Sequence, residues 1–268
     1  MNVLAAHHAI FARTALALAA VAPRYPSDTF ATWTAGDSFA VRVSAPELGF
    51  LTTLTIPAPI AADELGRQLT DERWRGESPV VVFTVPPDAE RDALSDLGYL
   101  PADPRPLAIR QLAEAPGPAQ IQVQPVADAD LDQALDVLVR GYAASSAVAH
   151  LIEDEHRHPS VRLLAATDSG RMIAVAAWSR HGEVAVLGGA GTLPSDRGKG
   201  AQTALLQERL RLAHAEGCTL AVATAAPNSP SVRNLARAGF DVIERDAFAR
   251  RSDIRSPNSG TRGAEIVR

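Results

Sequence analysis

The feature that most constrains the fold is a glycine-rich turn, Arg197-Gly198-Lys199-Gly200-Ala201-Gln202-Thr203, between an apolar predicted strand and a predicted helix. The first backbone N–H groups of a helix have no intrahelical partner, and the helix dipole favours negative charge beside them. A glycine turn that leads into a helix therefore forms an anion site, and a pyrophosphate suits it best. Of the 26 basic residues in the chain, Lys199 is the only lysine.

Composition indicates a globular protein, with 46% apolar and 21% charged residues among 268. This length is enough for one large or two ordinary domains. The net charge of -5 gives no basic face for nucleic acid. A lone cysteine, Cys218, excludes an intramolecular disulfide and favours a reducing compartment, so we expect a cytoplasmic protein. The apolar run at 14–22 is too short to span a bilayer and predicts a first helix, not a signal peptide or membrane anchor.

A proline- and glycine-rich stretch at 114–119 indicates a linker. We therefore expect a first domain at 1–115, a second at 119–252, and a loosely held polar tail at 253–268. Hydrophobic periodicity and turn residues predict the elements of the second domain. These are a helix at 128–144, an antiparallel meander of strands at 163–167, 171–178 and 184–192, a helix at 203–215, a strand at 220–224, a helix from Pro230, and strands at 241–243 and 247–250.

The front half repeats the back half weakly. At a constant offset of 141, the segment from Leu94 to Tyr99 aligns with that from Leu235 to Phe240, and residues 80–83 fall on 221–224. A strand at 50–56 and a helix at 61–74 come in the same order as their counterparts in the back half. The front copy has no glycine between 57 and 62. We expect it to keep the fold without the anion site.

With these motifs, residues 119–252 resemble the GNAT superfamily of N-acetyltransferases. Arg197, Gly200 and Gln202 occupy the places of the family's turn motif, although a small residue is usual where Gln202 stands. The terminal Gly239-Phe240 is also similar to the family. The resemblance implies an α/β (α+β) fold of two tandem GNAT-like domains, each a mixed, mostly antiparallel sheet flanked by helices. It also implies acetyl-CoA as the acyl donor, with no metal.

Glycines suit a phosphate site because they lack Cβ atoms and accept positive φ angles. Lys199 is either a phosphate contact or a solvated loop charge. Ser231 is either a cofactor contact or part of an ordinary helix start, and residues 190–192 either line the pantetheine arm or form a bulge. By the resemblance, thirteen residues are expected at the cofactor: Ala190, Gly191, Thr192, Arg197, Gly198, Lys199, Gly200, Ala201, Gln202, Thr203, Asn228, Ser231 and Asn234.

Acetyl transfer to an amine needs a base or a water chain for the amine proton and an acid for the leaving thiolate. Many family members place a tyrosine where this chain has Leu235, so that acid is excluded. Glu183 is the first candidate for the base, with an exposed strand-end glutamate as the alternative. Tyr142 is the second catalytic candidate, at the end of the helix beside which acceptors enter.

The leading hypothesis is an N-acetyltransferase that acts on a small-molecule or peptide amine by direct attack. The alternatives are an inactive module that binds CoA or a protein partner, and an acetyltransferase for protein N-termini or lysines. We expect neither nucleic acid nor membrane as a partner, and a homodimer is compatible with the acidic, apolar front half.

Overall fold

Two β-sheets with helices packed against them form the fold. The computed structural model describes residues 2–88, 90–113 and 121–250, so the predicted linker and tail lie outside the described residues. The helices are α1 Val3–Val21, α2 Ala62–Leu69, α3 Arg91–Asp96, α4 Leu131–Tyr142, α5 Ser146–His156, α6 Ala201–Ala215 and α7 Pro230–Arg237. The strands are β1 Phe30–Ala35, β2 Ser38–Val43, β3 Thr53–Ile56, β4 Val80–Phe83, β5 Tyr99–Ala102, β6 Leu107–Gln111, β7 Val123–Pro125, β8 Val161–Asp168, β9 Arg171–His181, β10 Val184–Val186, β11 Ala190–Thr192, β12 Leu220–Thr224, β13 Asp241–Ile243 and β14 Asp246–Arg250.

The second sheet runs in the order β13-β6-β12-β10-β9-β8-β7, and β11 pairs with β9 beside this path. The predicted antiparallel meander is confirmed, because β8, β9 and β10 pair in that way. The single strand predicted at 184–192 is wrong in one respect. Residues 187–189 interrupt it, because the two neighbouring glycines leave the ladder and Gly189 adopts a φ of +70°.

Each sheet contains one strand from the other half of the chain. The first sheet runs β1-β2-β3-β4-β14-β5, and β14 pairs antiparallel with both β4 and β5. In the second sheet β6 pairs antiparallel with both β12 and β13. The predicted division at 115–119 therefore does not separate the sheets, since strand pairing across the whole molecule decides which sheet a strand joins.

The six strands of the first sheet correspond in order to six strands of the second, and β7 and β11 have no counterpart. The parallel pair β3–β4 matches the parallel pair β10–β12, with β14 and β6 in equivalent positions next to them. The offset of 141 carries β4 onto β12 and β5 to within a residue of β13. The repeated order of elements is thus present in the structure, and the exchanged strands β6 and β14 are equivalent to each other.

Helix α1 packs against strands of both sheets, and the first helix predicted from the run at 14–22 lies at its carboxyl end. It continues into a 3₁₀ turn, and residues 3–24 have the length and apolar composition that would suffice to cross a membrane. However, Ala6, Leu18 and Val21 are fully or almost fully buried. Arg13, also buried, forms an ion pair of 2.5 Å with Glu155 of α5. Helices α6 and α7 pack on the opposite face of the second sheet.

Candidate active site

The second sheet opens at the point where β10 ends. Val186 pairs with Val222, and the N–H of Leu187 donates to the Val222 carbonyl at 2.8 Å. Beyond this point β11 pairs only with β9, while β12 continues alongside β6 to Thr224. A cleft of about 1020 Å³ occupies the opening, with walls from both strands and from the ends of α4, α6 and α7.

The amino end of α6 forms one side of this cleft. Gly198 and Gly200 have φ angles of +82° and +87°, which only glycine adopts at low cost. The helix begins directly after Gly200, no described side chain caps it, and its first turn has no acidic residue. The first three residues of the helix, Ala201, Gln202 and Thr203, line the cleft. The unpaired N–H groups of this first turn and the positive end of the helix dipole therefore face the cleft.

Three arginines add positive charge to the cleft lining: Arg197, Arg209 and Arg237. The Nη2 of Arg197 donates to the Gly141 carbonyl at 3.1 Å and holds the turn against α4. Among the described residues that line the cleft, Asp196 is the one carboxylate. Arg171 and Lys199 bond to it, and these contacts hold the pKa of its carboxyl far below the usual range. The cleft therefore has a net positive lining.

The structure places Lys199 outside the cleft lining, although both of its neighbours, Gly198 and Gly200, line the cleft. Its Nζ donates to Asp196 at 2.8 Å and to Asp168 at 3.4 Å, and the residue does not line the cleft. These two carboxylates raise the pKa of the lysine. Lys199 stabilises the turn from behind, because Asp196 lies three residues before it and the fold brings Asp168 beside it from 31 residues away.

Backbone groups of β11 alternate between β9 and the cleft. The N–H of Leu193 donates to the Ile173 carbonyl, so every second residue of β11 counted from Leu193 bonds to β9. Ala190 and Thr192 lie between these positions, and their backbone groups face the cleft instead. The Nε2 of Gln202 donates to the Thr192 hydroxyl at 2.8 Å. The unusual residue of the turn thus joins α6 to β11 across the base of the cleft.

Tyr142 lies in the cleft at the edge of β11. Its hydroxyl accepts a hydrogen bond of 2.7 Å from the Ala190 N–H. The tyrosine therefore covers the Ala190 N–H at the edge of the strand. The phenolic oxygen itself stands where the sheet opens.

On the α7 side of the cleft, two of the three expected cofactor residues line the cleft and one does not. Ser231 and Asn234 line the cleft, whereas Asn228 does not. Asn228 adopts a φ of +57° in the preceding turn, and its carbonyl accepts from Arg233. Ser229 caps the helix, as predicted, by accepting from the Val232 N–H at 3.2 Å.

The structure does not bring Glu183 to the cleft. It is exposed at the start of β10, whereas the cleft begins after the end of that strand. Its carboxylate accepts from the Thr219 hydroxyl at 3.3 Å. Glu183 is thus the exposed strand-end glutamate of the alternative interpretation, and the base prediction is wrong because it placed the residue at the wrong end of the strand.

Sequence reasoning missed Arg209. Its side chain is buried, and it donates to the Ala177 carbonyl at 3.1 Å, beside the interruption of the second sheet. Burial lowers the pKa of the guanidinium to about 10, so it stays charged at neutral pH. The available signal was a basic residue on the apolar stripe of α6, four residues after Leu205 and three after Leu206.

Close backbone packing fixes the glycines around the opening. A Cβ on Gly141 would lie 2.8 Å from the Gly191 Cα, so α4 approaches β11 more closely than any larger residue permits. A Cβ on Gly189 would overlap the imidazole of His156, whose Nδ1 is 2.7 Å from the Ile152 carbonyl. Packing alone therefore requires glycine at positions 141 and 189, whether or not a ligand also needs the space.

Comparison with known proteins agrees with this geometry. A family model described as the acetyltransferase (GNAT) family matches residues 131–240. Among solved structures, a GCN5-related N-acetyltransferase from Kribbella flavida is 18% identical, with a TM-score of 0.60 over 88% of this chain and 92% of its own. A GCN5-related N-acetyltransferase from Sphaerobacter thermophilus is also 18% identical, with a TM-score of 0.56 over 79% of each chain.

A functionally unknown conserved protein from Staphylococcus epidermidis ATCC 12228 is 11% identical, with a TM-score of 0.54 over 79% of this chain and 89% of its own. These structural likenesses show a shared fold that extends over both sheets. Among curated proteins, none matches the sequence. The family match covers the described cleft from α4 to the end of α7. Residues 131–240 therefore form a domain of the GNAT family of acetyltransferases, and the protein is an acyltransferase.

Proposed function

We propose that this protein transfers an acetyl group from acetyl-CoA to a primary amine by direct attack of the amine. The observation that carries the proposal is the uncapped amino end of α6, in a cleft with three arginines that leads to the opening between β11 and β12. An anionic ligand with a long uncharged arm fits a site with this charge at one end and strand edges at the other.

The described residues fit the donor. The N–H groups of Ala201, Gln202 and Thr203 would hold a pyrophosphate, and Arg197 and Arg237 would supply countercharge. The edge of β11 and the Asn234 side chain would hold the pantetheine arm. When bound, the donor supplies an activated acyl group as a thioester.

The C–N bond forms as the C–S bond breaks. Two proton transfers accompany this exchange, because the amine loses a proton and the thiolate gains one. We assign the thiolate proton to Tyr142, whose hydroxyl stands at the opening of the sheet. Among described cleft residues, the one carboxylate, Asp196, is already bonded to two cations. We therefore assign the amine proton to water.

The first sheet supports a second part of the proposal. We infer that the front half is a diverged copy of the GNAT domain, because six strands of the two sheets correspond in order. Pro57 to Ala62 precedes α2 without a glycine turn, so the copy has no equivalent anion site.

Calorimetric titration with acetyl-CoA tests the donor site. The variant Thr203→Glu places a carboxylate in the first turn of α6, which favours the helix but repels phosphates. We expect its affinity for acetyl-CoA to fall by at least about tenfold, or about 1.4 kcal/mol, without a lower melting temperature. Gln207→Glu is the matched control, since it adds the same charge to the same helix outside the cleft.

Equal affinities of the two variants, or no binding of millimolar acetyl-CoA by the wild type, would overturn the donor assignment. Release of free thiol in the presence of primary amines tests the transfer itself. Binding without any thiol release across amine classes would instead support the CoA-binding module that lacks catalysis.

A further inference from the structure

A second cavity, of about 110 Å³, lies beneath α1 between the two halves of the molecule. Its walls are mainly apolar, with Phe11 from α1 and Phe39 and Val41 from the first sheet. Two arginines, Arg105 and Arg245, reach the same cavity. A small space with apolar walls and two cations at one side is suited to an amphipathic anion.

The two arginines have no carboxylate partner. Neither forms an ion pair within 4.0 Å with any described residue, although Asp103 acts on Arg105 from a longer distance. The Nε of Arg245 donates to the Arg105 carbonyl at 2.7 Å, and the buried Nε of Arg105 has no hydrogen-bond partner. Arg245 is 6% exposed. Buried charges in folded proteins are normally paired, so this pair lacks an anion.

Both guanidiniums remain charged at neutral pH. Burial lowers the pKa of Arg105 to about 10, and burial together with the charge of Arg105 lowers the pKa of Arg245 to about 10. His7, on the α1 side of the cavity, has a pKa lowered by burial to about 3 and is neutral. The cavity therefore holds two positive charges.

Thr224 connects this cavity to the cleft, because it lines both. Thr224 pairs with Leu107, and Leu107 pairs with Ile243, so the three lie in one row across adjacent strands. Arg105 precedes Leu107 by two residues, and Arg245 follows Ile243 by two residues. With strands about 4.8 Å apart, the arginines lie within the length of a small molecule from the opening of the sheet.

We propose that this cavity is the acceptor subsite and that it binds a carboxylate, so that the acceptor is a short amine that also carries a carboxylate group. This assignment rests on the proposed amine transfer. The carboxylate lies against Arg105 and Arg245, the apolar part of the acceptor lies against the phenylalanines, and the amine points past Thr224 toward the thioester. The cavity, at about 110 Å³, is smaller than the roughly 150 Å³ that holds benzene, so it takes a carboxylate with a short apolar part and no bulky side chain.

A binding experiment tests the subsite without any reaction. Propionate and its neutral isostere propionamide are titrated against the wild type and observed by NMR of the methyl region. We expect propionate to bind at least tenfold more tightly than propionamide. Arg105→Gln is expected to remove this preference, and Arg105→Lys, which keeps the charge, to restore part of it. Arg67→Gln removes an exposed arginine on α2 and is expected to leave the preference unchanged.

Equal binding of propionate and propionamide by the wild type overturns the proposal, as does a preference that survives in Arg105→Gln. Acetyl-CoA titration of the same variants reports whether they are folded. Turnover of an amino acid against its carboxamide then extends the test to the acceptor. If acetyl-CoA does not bind, the proposed function fails while the propionate preference stands. If acetyl-CoA binds and propionate does not, only the acceptor assignment fails.

Discussion

The hydroxyl of Tyr142 accepts a hydrogen bond of 2.7 Å from the backbone N–H of Ala190. This bond joins the last residue of α4 to the edge of β11, at the point where the second sheet opens. Gly141, the neighbouring residue, permits the approach because it has no side chain. The position of the tyrosine is therefore set by backbone packing.

The variant Tyr142→Phe tests the proposed proton donor. We expect kcat for thiol release to fall by about 10²-fold or more, with a smaller change in KM for acetyl-CoA, because the hydroxyl acts on the leaving group. Steady-state kinetics across pH measure the effect. Tyr25→Phe is the control, since Tyr25 lies outside the cleft and packs edge-on against Phe30. A kcat for Tyr142→Phe equal to that of the control would exclude the role.

The contact between α4 and β11 predicts opposite effects for two helix glycines. Gly141→Ala places a Cβ 2.8 Å from the Gly191 Cα and is expected to cost about 1–3 kcal/mol of unfolding free energy. Gly66→Ala, on α2 with open space around it, is expected to gain about 0.5–1 kcal/mol. Urea unfolding of both variants measures the difference. Equal effects would mean that α4 has room to move away from β11.

The buried imidazole of His7 predicts a loss of stability in mild acid. Burial, Arg245 and His8 lower its folded pKa to about 3, whereas the unfolded value is 6.5. Between these pH values the unfolded state binds more protons, so stability is complete above 6.5 and falls as pH decreases, by at most about 1.4 kcal/mol per pH unit from this group. The Nε2 of His7 lies 2.8 Å from the Thr84 hydroxyl.

Melting temperatures of the wild type and His7→Gln between pH 7 and pH 4 test this prediction. The melting temperature of the variant should fall less steeply as the pH decreases. It should still fall, because burial also lowers the pKa of His156, which destabilises the folded state in acid in the same way. Parallel declines for the two proteins would show that His7 is protonated in the folded state.

The exchange of β6 and β14 predicts that the two halves unfold together. Phe248 of β14 packs edge-on against Phe83 of the first sheet, with ring centroids 5.9 Å apart, and Ile109 of β6 is fully buried in the second. Phe248→Ala and Ile109→Ala should each cost about 3 kcal/mol or more and shift one shared calorimetric transition. Two resolved transitions, with each variant moving only one, would contradict this.

Much of the local structure was predictable from the sequence because short-range signals encode it. The strand β12 and the α7 cap follow from an apolar run and a Ser-Pro pair, and the predicted helix at 203–215 falls within α6. The left-handed angles of Gly198 and Gly200 also agree with the predicted turn. The partners of Glu183 and Lys199 were harder to predict, because Thr219 is 36 residues from Glu183 and one of the two carboxylates at Lys199, Asp168, is 31 residues away.

The sequence alone determined the glycine turn before α6 and the repeated order of elements, since the turn depends on glycine conformation and the elements depend on alternation within a few residues. Only the tertiary structure decided which sheet receives each of the equivalent strands β6 and β14, because both are short half-buried strands that suit either position. It also decided that Arg209 faces the cleft, that Tyr142 bonds to Ala190, and that Arg105 meets Arg245. These contacts join distant parts of the chain, and pairing and packing over the whole molecule select them.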